Sequence, residues 1–237
     1  MNENNITINS GHIEHLIALE NDKVQEAWNN YSTHLKVADD IIYFLSREFV
    51  DTTSDKNVIF MSFFTQISVD LELAMLSTIR RHDIQACMML RHALESIPLA
   101  AYSLFSKQVI DKCGIVAEFG NTGKACDWIK NNYPEHSENI KGIKGKINNH
   151  YSHANITTAA PNLIIGDDKT FSCFFDSNSD KTLPKRLYII SEIAWLALDL
   201  IDKAIGKTNG GVVLNKDSDQ KIKDFGEQID SVFSDKS

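Results

Sequence analysis

At 237 residues, 43% of them apolar, the chain has material for one large domain with a substantial core. A formal charge of −8 and a pI near 5.5 argue against a generic nucleic-acid binder, which needs a positive field, though they leave room for a local basic patch. No charge-poor apolar run approaches the roughly 20 residues of a bilayer span, so no membrane segment is expected.

Residues 1–10, MNENNITINS, are polar, lack the basic-then-apolar order of a signal peptide, and read as a flexible N-terminus. Between Gly11 and Lys56 there is no further glycine and no proline. There Val24, Trp28, Tyr31, Leu35, Ala38, Ile42, Leu45 and Phe49 alternate steps of four and three, a helix face kept up for about seven turns. The run Asp51 to Asn57 is a turn by composition. A second helix is predicted from Val58 to Ile79, with Phe60, Phe64, Ile67, Leu71, Ala74, Met75 and Thr78 inside. Val69, Leu73 and Leu76 make it apolar on other sides too, which predicts a central position, and Asp70 flanks the inner face within reach of Arg81, Arg91 or solvent. The short Arg80–Asp83 junction predicts an antiparallel third helix running to Phe105.

Beyond it, Gln108–Phe119 and Thr122–Asn132 read as two small helices. Tyr133-Pro134 ends that unit, because a residue before proline avoids helical torsions. Ser137 is then expected to cap a helix with Ile140, Ile143, Ile147 and Tyr151 inside, and Gly142 and Gly145 predict close approach of a neighbour. Asn162–Ile165 and Phe171–Phe175 read as two short strands around an Asp167-Asp168 turn. Thr182 and Pro184 open a last long helix lined by Leu187, Ile190, Ala194, Ala197, Ile201 and Ala204 and closed by Gly206. Residues 207–237 form a polar, mostly flexible tail in which Ile222, Phe225, Ile229 and Val232 outline a short amphipathic helix, able to dock on the body or on a partner. The four cysteines, Cys87, Cys113, Cys126 and Cys173, are far apart and read as free thiols in a reducing cytoplasm.

The third helix carries the main functional clue. At about 100° per residue, Ile84, Cys87, Met88, Leu94, Pro98, Tyr102 and Phe105 share one broad face, and Arg91 and Glu95 fall in the middle of it, one turn apart. Gln85, His92, Ser96 and Ser103 lie on the other side. Charges inside an apolar stripe are costly unless paired. Two readings follow: a structural ion pair, or the floor of a polar cleft in which the guanidinium holds a phosphate or carboxylate while Glu95 orients it. The segment Asn148 to Asn155, NNHYSHAN, is the second clue, either as a polar helix end or as a site element. Its His150 and His153 lack the further ligands of a metal site, as do His12 and His15. No nucleophile elbow, dinucleotide fingerprint or phosphate loop is present, and Gly120–Lys124 has neither the preceding strand nor the spacing. Lys141, Lys144 and Lys146 form the one local hint of nucleic-acid contact.

Leu90-Arg91-His92-Ala93-Leu94-Glu95, followed by Tyr151-Ser152-His153-Ala154-Asn155, resembles a group of bacterial all-helical domains of unknown function. That group pairs an Arg-x-x-x-Glu helix with a Tyr-x-x-x-Ser-x-x-x-His-Pro-type segment. In shape it resembles the HEPN (higher eukaryotes and prokaryotes nucleotide-binding) superfamily, over roughly Val58 to Asn155. The resemblance implies a defence or stress setting and, for the ribonucleases of that superfamily, an arginine followed four to six residues later by a histidine. There the arginine holds the scissile phosphate and the histidine assists the 2′-hydroxyl. Here Lys144, five residues before His150, stands where that motif has arginine, giving a point charge without the bidentate fork.

The expectation is therefore a mainly all-α antiparallel bundle of about five main helices over residues 11–206, with a β-hairpin insertion near 162–175. Helix three, the His150 helix and the last long helix should converge on a polar site. Arg91, Glu95, His150 and His153 are its candidate catalytic residues, with Lys144, Tyr151, Asn155 and Tyr102 as binding residues and with neither metal nor cofactor. The function expected is a cytoplasmic binding or regulatory module. The alternatives are a metal-independent ribonuclease using His150 or His153 with Arg91 or Lys144, and a purely structural cluster with function in partner binding. Expected partners are a second copy of the chain, RNA or a small anion, and a protein docking on the C-terminal tail.

Overall fold

The computed structural model describes residues 12–105, 122–151, 164–165, 171–172, 182–208 and 211–234. Its elements are α1 (His12–Tyr43), a π-helical turn (Phe44–Glu48), β1 (Val50–Thr53), a 3-10 turn (Asp55–Asn57), α2 (Val58–Ile79) and α3 (Asp83–Ser103). There follow α4 (Thr122–Asn132), α5 (Pro134–Tyr151), β2 (Ile164–Ile165), β3 (Phe171–Ser172), α6 (Leu183–Gly206), β4 (Val212–Leu214) and α7 (Ser218–Phe233). The mainly helical bundle with a small hairpin is the architecture that the periodicity predicts. The first of the two small helices expected after Phe105 lies outside the described residues.

α2 and α3 form the closest pair in the bundle, and the reason is residue size. The buried stripe of α3 is Ala86, Leu90, Ala93, Leu94, Ile97, Ala100 and Ala101, with Ser96 and Ser103 also buried. Small side chains let two helix backbones approach, and the Ser103 hydroxyl donates to the Ala100 carbonyl at 2.7 Å, so it brings no unmet polar group inside. The predicted inner face holds only in part: Leu94 and Pro98 are buried, but Met88 is 59% exposed and Phe105 lies at the surface, while two of the serines assigned to the solvent side are buried. α2 contributes the seven inner residues expected of it, all buried. It is not central, however, for Val69, Leu73 and Leu76 are each more than 40% exposed on its outer side. Asp70, 2% exposed, meets neither Arg81 nor Arg91. It accepts from Gln66 Nε2 at 3.0 Å and lies 2.8 Å from Nδ1 of His92. Residues 55–79 are also long and apolar enough to cross a membrane by composition, contrary to the expectation that no such run exists.

α6 is the other organising element, packed against α1, α2, α3 and α7. Leu187, Ile190, Ala194, Ala197, Ile201 and Ala204 are buried along it, with Ile193, Leu196, Leu198 and Leu200 beside them. α1 is interrupted at Tyr31, whose torsions (φ −137°, ψ 29°) are not helical. Next to the break Trp28 is 41% exposed and Ala27 is buried instead, but the rest of the expected face holds: Leu35, Ala38, Ile42, Leu45 and Phe49 are buried, and Val24 and Tyr31 pack against the core. α5 starts at Pro134, one residue past the expected stop, so Ser137 sits inside its first turn and its N–H donates to the Tyr133 carbonyl at 3.0 Å. Ile140, Ile143 and Ile147 are buried as predicted. A Cβ at Gly142 or Gly145 would meet nothing within 4 Å among the described residues, so neither glycine marks a close approach.

β2 and β3 pair antiparallel, Ile164 opposite Ser172 and Ile165 opposite Phe171, within the two expected strands; the rest of those strands and the Asp167-Asp168 turn lie outside the described residues. A second antiparallel pair joins β1 to β4, with Val50 opposite Leu214 and Thr53 opposite Val212, and a bulge between Val50 and Thr52. The segment expected as a mostly flexible tail is thus built into the body. In α7, Ile222, Phe225 and Ile229 are buried, and the Trp195 indole of α6 donates to the Ile222 carbonyl at 2.9 Å.

Candidate functional site

Arg91 and Glu95 lie on the flank of α3 that faces α5, with side chains 43% and 30% exposed, so they are not charges sunk in the core. Glu95 is the hub. Lys144 of α5 donates to Oε1 at 2.7 Å, and Arg91 Nε reaches the same oxygen at 3.4 Å. Burial alone would push the Glu95 carboxyl up, but the hydrogen bonds and charges of Lys144 and Arg91 outweigh it and hold it below its ordinary value. The structure therefore brings together three of the predicted residues, Arg91, Glu95 and Lys144. Both cations share the one carboxylate oxygen, and a role for Lys144 in holding a phosphate would require it to leave Glu95. Tyr102 points elsewhere, its ring 5.9 Å from that of Trp128 on α4. His150 and Tyr151 close α5, and their side chains, like all of His153 and Asn155, lie outside the described residues.

The convergence of α3, α5 and α6 does produce a cleft, one helical turn away from that cluster. It is a cavity of about 330 Å³ lined by Thr78 of α2, Asp83, Ala86, Cys87 and Leu90 of α3, Lys146 and Ile147 of α5, and Thr182, Lys185, Arg186 and Ile189 at the start of α6. Three cations face one carboxylate there. Arg186 and Asp83 form a close ion pair through Nη2 and Oδ2, with side chains 18% and 4% exposed. A guanidinium is a fork of donors, and this one is only partly used: Nη1 is buried and has no hydrogen-bond partner among the described residues. A buried donor left unmet costs about 1–3 kcal/mol, so the site has room for an acceptor. Lys185 and Lys146 are exposed at the rim, and Lys146 is close enough to Glu192 of α6 to offset part of the burial that raises that carboxyl.

The turn leading into the cleft is itself unusual. Arg81 has φ +69°, in the left-handed region that costs a residue with a Cβ about 1 kcal/mol or more, and its side chain is fully buried. Beside it the turn is tied to α1, where Glu20 sits 2.7 Å from Nε2 of His82 and 3.8 Å from Nε of Arg80. The polar end of the cleft, at Asp83, is thus held by a constrained junction between α2 and α3.

Sequence reasoning missed Asp83, Lys146, Lys185 and Arg186 as a group, since Asp83 and Arg186 meet only after the chain has folded back through α4 and α5. One signal was legible. The first turn of α6 contains Lys185 and Arg186 and no acid, although cations are disfavoured at the positive end of a helix dipole. Such a placement is explained by a nearby anion. A second missed cluster lies at the other end of α5, where His136 Nε2 is 2.7 Å from Asp199, which also accepts from Lys203 at 2.6 Å. Tyr133, Pro134, Glu135, His136, Lys203 and Lys207 line an open hollow there of about 390 Å³.

No family model, no curated protein and no solved structure matches the chain. The functional reading accordingly rests on the geometry.

Proposed function

We propose that this chain is a helical-bundle binding module that takes a small anion in the cleft between α3, α5 and α6. The observation that carries the reading is Arg186, mostly buried, paired to Asp83 on one side and with Nη1 unmet among the described residues on the other. A carboxylate or phosphate oxygen would complete the fork, and charge-assisted bonds of this kind are about twice as strong as neutral ones. Lys146 and Lys185 at the rim would add attraction, and the N-terminal turns of α3 and α6 present backbone N–H groups at the same end of the cleft. The Arg91–Glu95–Lys144 cluster then serves as a brace that fixes α5 against α3 and so sets the width of the cleft.

The reading is tested by thermal shift at constant ionic strength with chloride as reference and acetate, phosphate, sulfate and a short RNA as candidates. A ligand at 100 times its Kd stabilises by about 2.7 kcal/mol, a rise of several degrees for a domain of this size. Lys146→Ala with Lys185→Ala, both surface positions, should shrink that rise, each protein being measured against its own chloride reference. If no anion raises the melting temperature above its chloride reference, the proposal fails.

A further inference from the structure

We infer, building on the anion-binding reading, that the ligand of the cleft is an amphiphile: a carboxylate carrying an unbranched apolar chain of about eight carbons. The cleft is polar at one level and apolar at the next. On α3 the lining residues run from Asp83 through Ala86 and Cys87 to Leu90, and on α6 from Thr182, Lys185 and Arg186 to Ile189, with Lys146 and Ile147 of α5 completing the wall. Both helices start at the same end, so the Asp83–Arg186 pair and Lys185 of their first turns form a polar end and Leu90 and Ile189 of their second turns an apolar one. At 1.5 Å per residue, Asp83 to Leu90 covers about 10 Å along α3. A free phosphate or acetate would satisfy the cations and leave the apolar end uncovered. A chain reaching from Arg186 along to Leu90 would satisfy the polar end and cover the apolar one. The size follows from the volume. At roughly 30 Å³ per water-sized unit, the cavity of 330 Å³ holds a ligand of roughly ten non-hydrogen atoms, the count of octanoate.

The test is a chain-length series by isothermal titration on the full chain at fixed pH and ionic strength: acetate, butyrate, hexanoate, octanoate and decanoate, with 1-octanol and octylamine as controls. Each buried methylene should lower Kd about fourfold, so each two-carbon step up to octanoate gains roughly fifteenfold and decanoate gains nothing further. Lys146→Ala with Lys185→Ala should weaken every acid by the same factor and leave the slope untouched. Ile189→Gln, at a half-buried position, should flatten the slope. If acetate and octanoate bind equally, the apolar tail is wrong and the anion reading survives. If octylamine or octanol binds as well as octanoate, the cations are irrelevant and the anion reading falls. If nothing in the series binds, both fall.

Discussion

Truncating Phe225 to alanine should release α7 while leaving the bundle folded. Phe225 is 5% exposed, and its ring lies 5.6 Å from that of Phe44 in the π-helical turn. A buried Phe→Ala change costs about 3–5 kcal/mol. The two other anchors of the helix, Ile222 and Ile229, contribute roughly 1.5–3 kcal/mol each by burial, so the loss is comparable with everything else that holds the inner stripe down. The Trp195–Ile222 hydrogen bond adds only about 1 kcal/mol. By contrast Ile67, Leu71, Leu94 and Ile97 are buried on α2 and α3, whose main partners are each other. Native-state hydrogen exchange reads the difference. Amides of α7 should lose about 100- to 4000-fold of their protection, whereas those of α2 and α3 keep theirs. A uniform fall across all helices would refute the reasoning, because it would mean that α7 is part of the same cooperative unit as the core. A loss below tenfold confined to α7 would refute it too, by showing that Phe225 is not the anchor.

Three further outcomes are expected. Asp83→Asn should destabilise by about 3–5 kcal/mol in urea unfolding, since it strips a largely buried guanidinium of its carboxylate, whereas Asp83→Leu with Arg186→Met should cost less than the single change. Burial pushes the Asp199 carboxyl up, but hydrogen bonds and charge from His136 and Lys203 outweigh it and leave it below its ordinary value. A depressed carboxyl contributes stability above its unfolded pKa of about 3.9 and loses it as pH falls through the folded value. Asp199→Asn should thus melt earlier than the parent at pH 7, and the two melting curves should converge in acid. Glu192 is the opposite case, held above its ordinary value by burial that Lys146 only partly offsets. Its contribution is present at low pH and lost as pH rises through the folded value, so Glu192→Gln should melt later than the parent at pH 7 and equal to it below about pH 4.

Much of the architecture is legible in the order of residues because large apolar side chains mark it. Val58–Ile79 and Thr122–Asn132 are predicted to the residue, and the last long helix to its closing Gly206. The failures share a cause. On α3 the residues that decide packing are alanines and serines, whose burial reflects closeness of backbones rather than hydrophobic weight, so a count of large side chains selects the wrong face. That error placed Arg91 and Glu95 in the core. What survives of the candidate site is the pairing of Glu95 with Arg91 and Lys144 and the meeting of α3, α5 and α6. The cleft itself depends on Asp83 and Arg186, and no spacing rule joins residues so far apart. The α1 face, marked by large side chains, holds from Leu35 to Phe49 and departs at Trp28, beside the non-helical Tyr31.

The strand pair that ties the α1–α2 connection to the segment before α7 has a consequence for biosynthesis. During translation α2 and α3 can dock as soon as both have left the ribosome, but α1 rests more on α6 than on its sequence neighbour α2. Until α6, β4 and α7 emerge, the nascent chain carries an uncovered first helix and a β1 edge with no strand beside it. Such an interval invites chaperone attendance and makes the order of assembly run outward from the α2–α3 pair, with the two ends of the chain joining last.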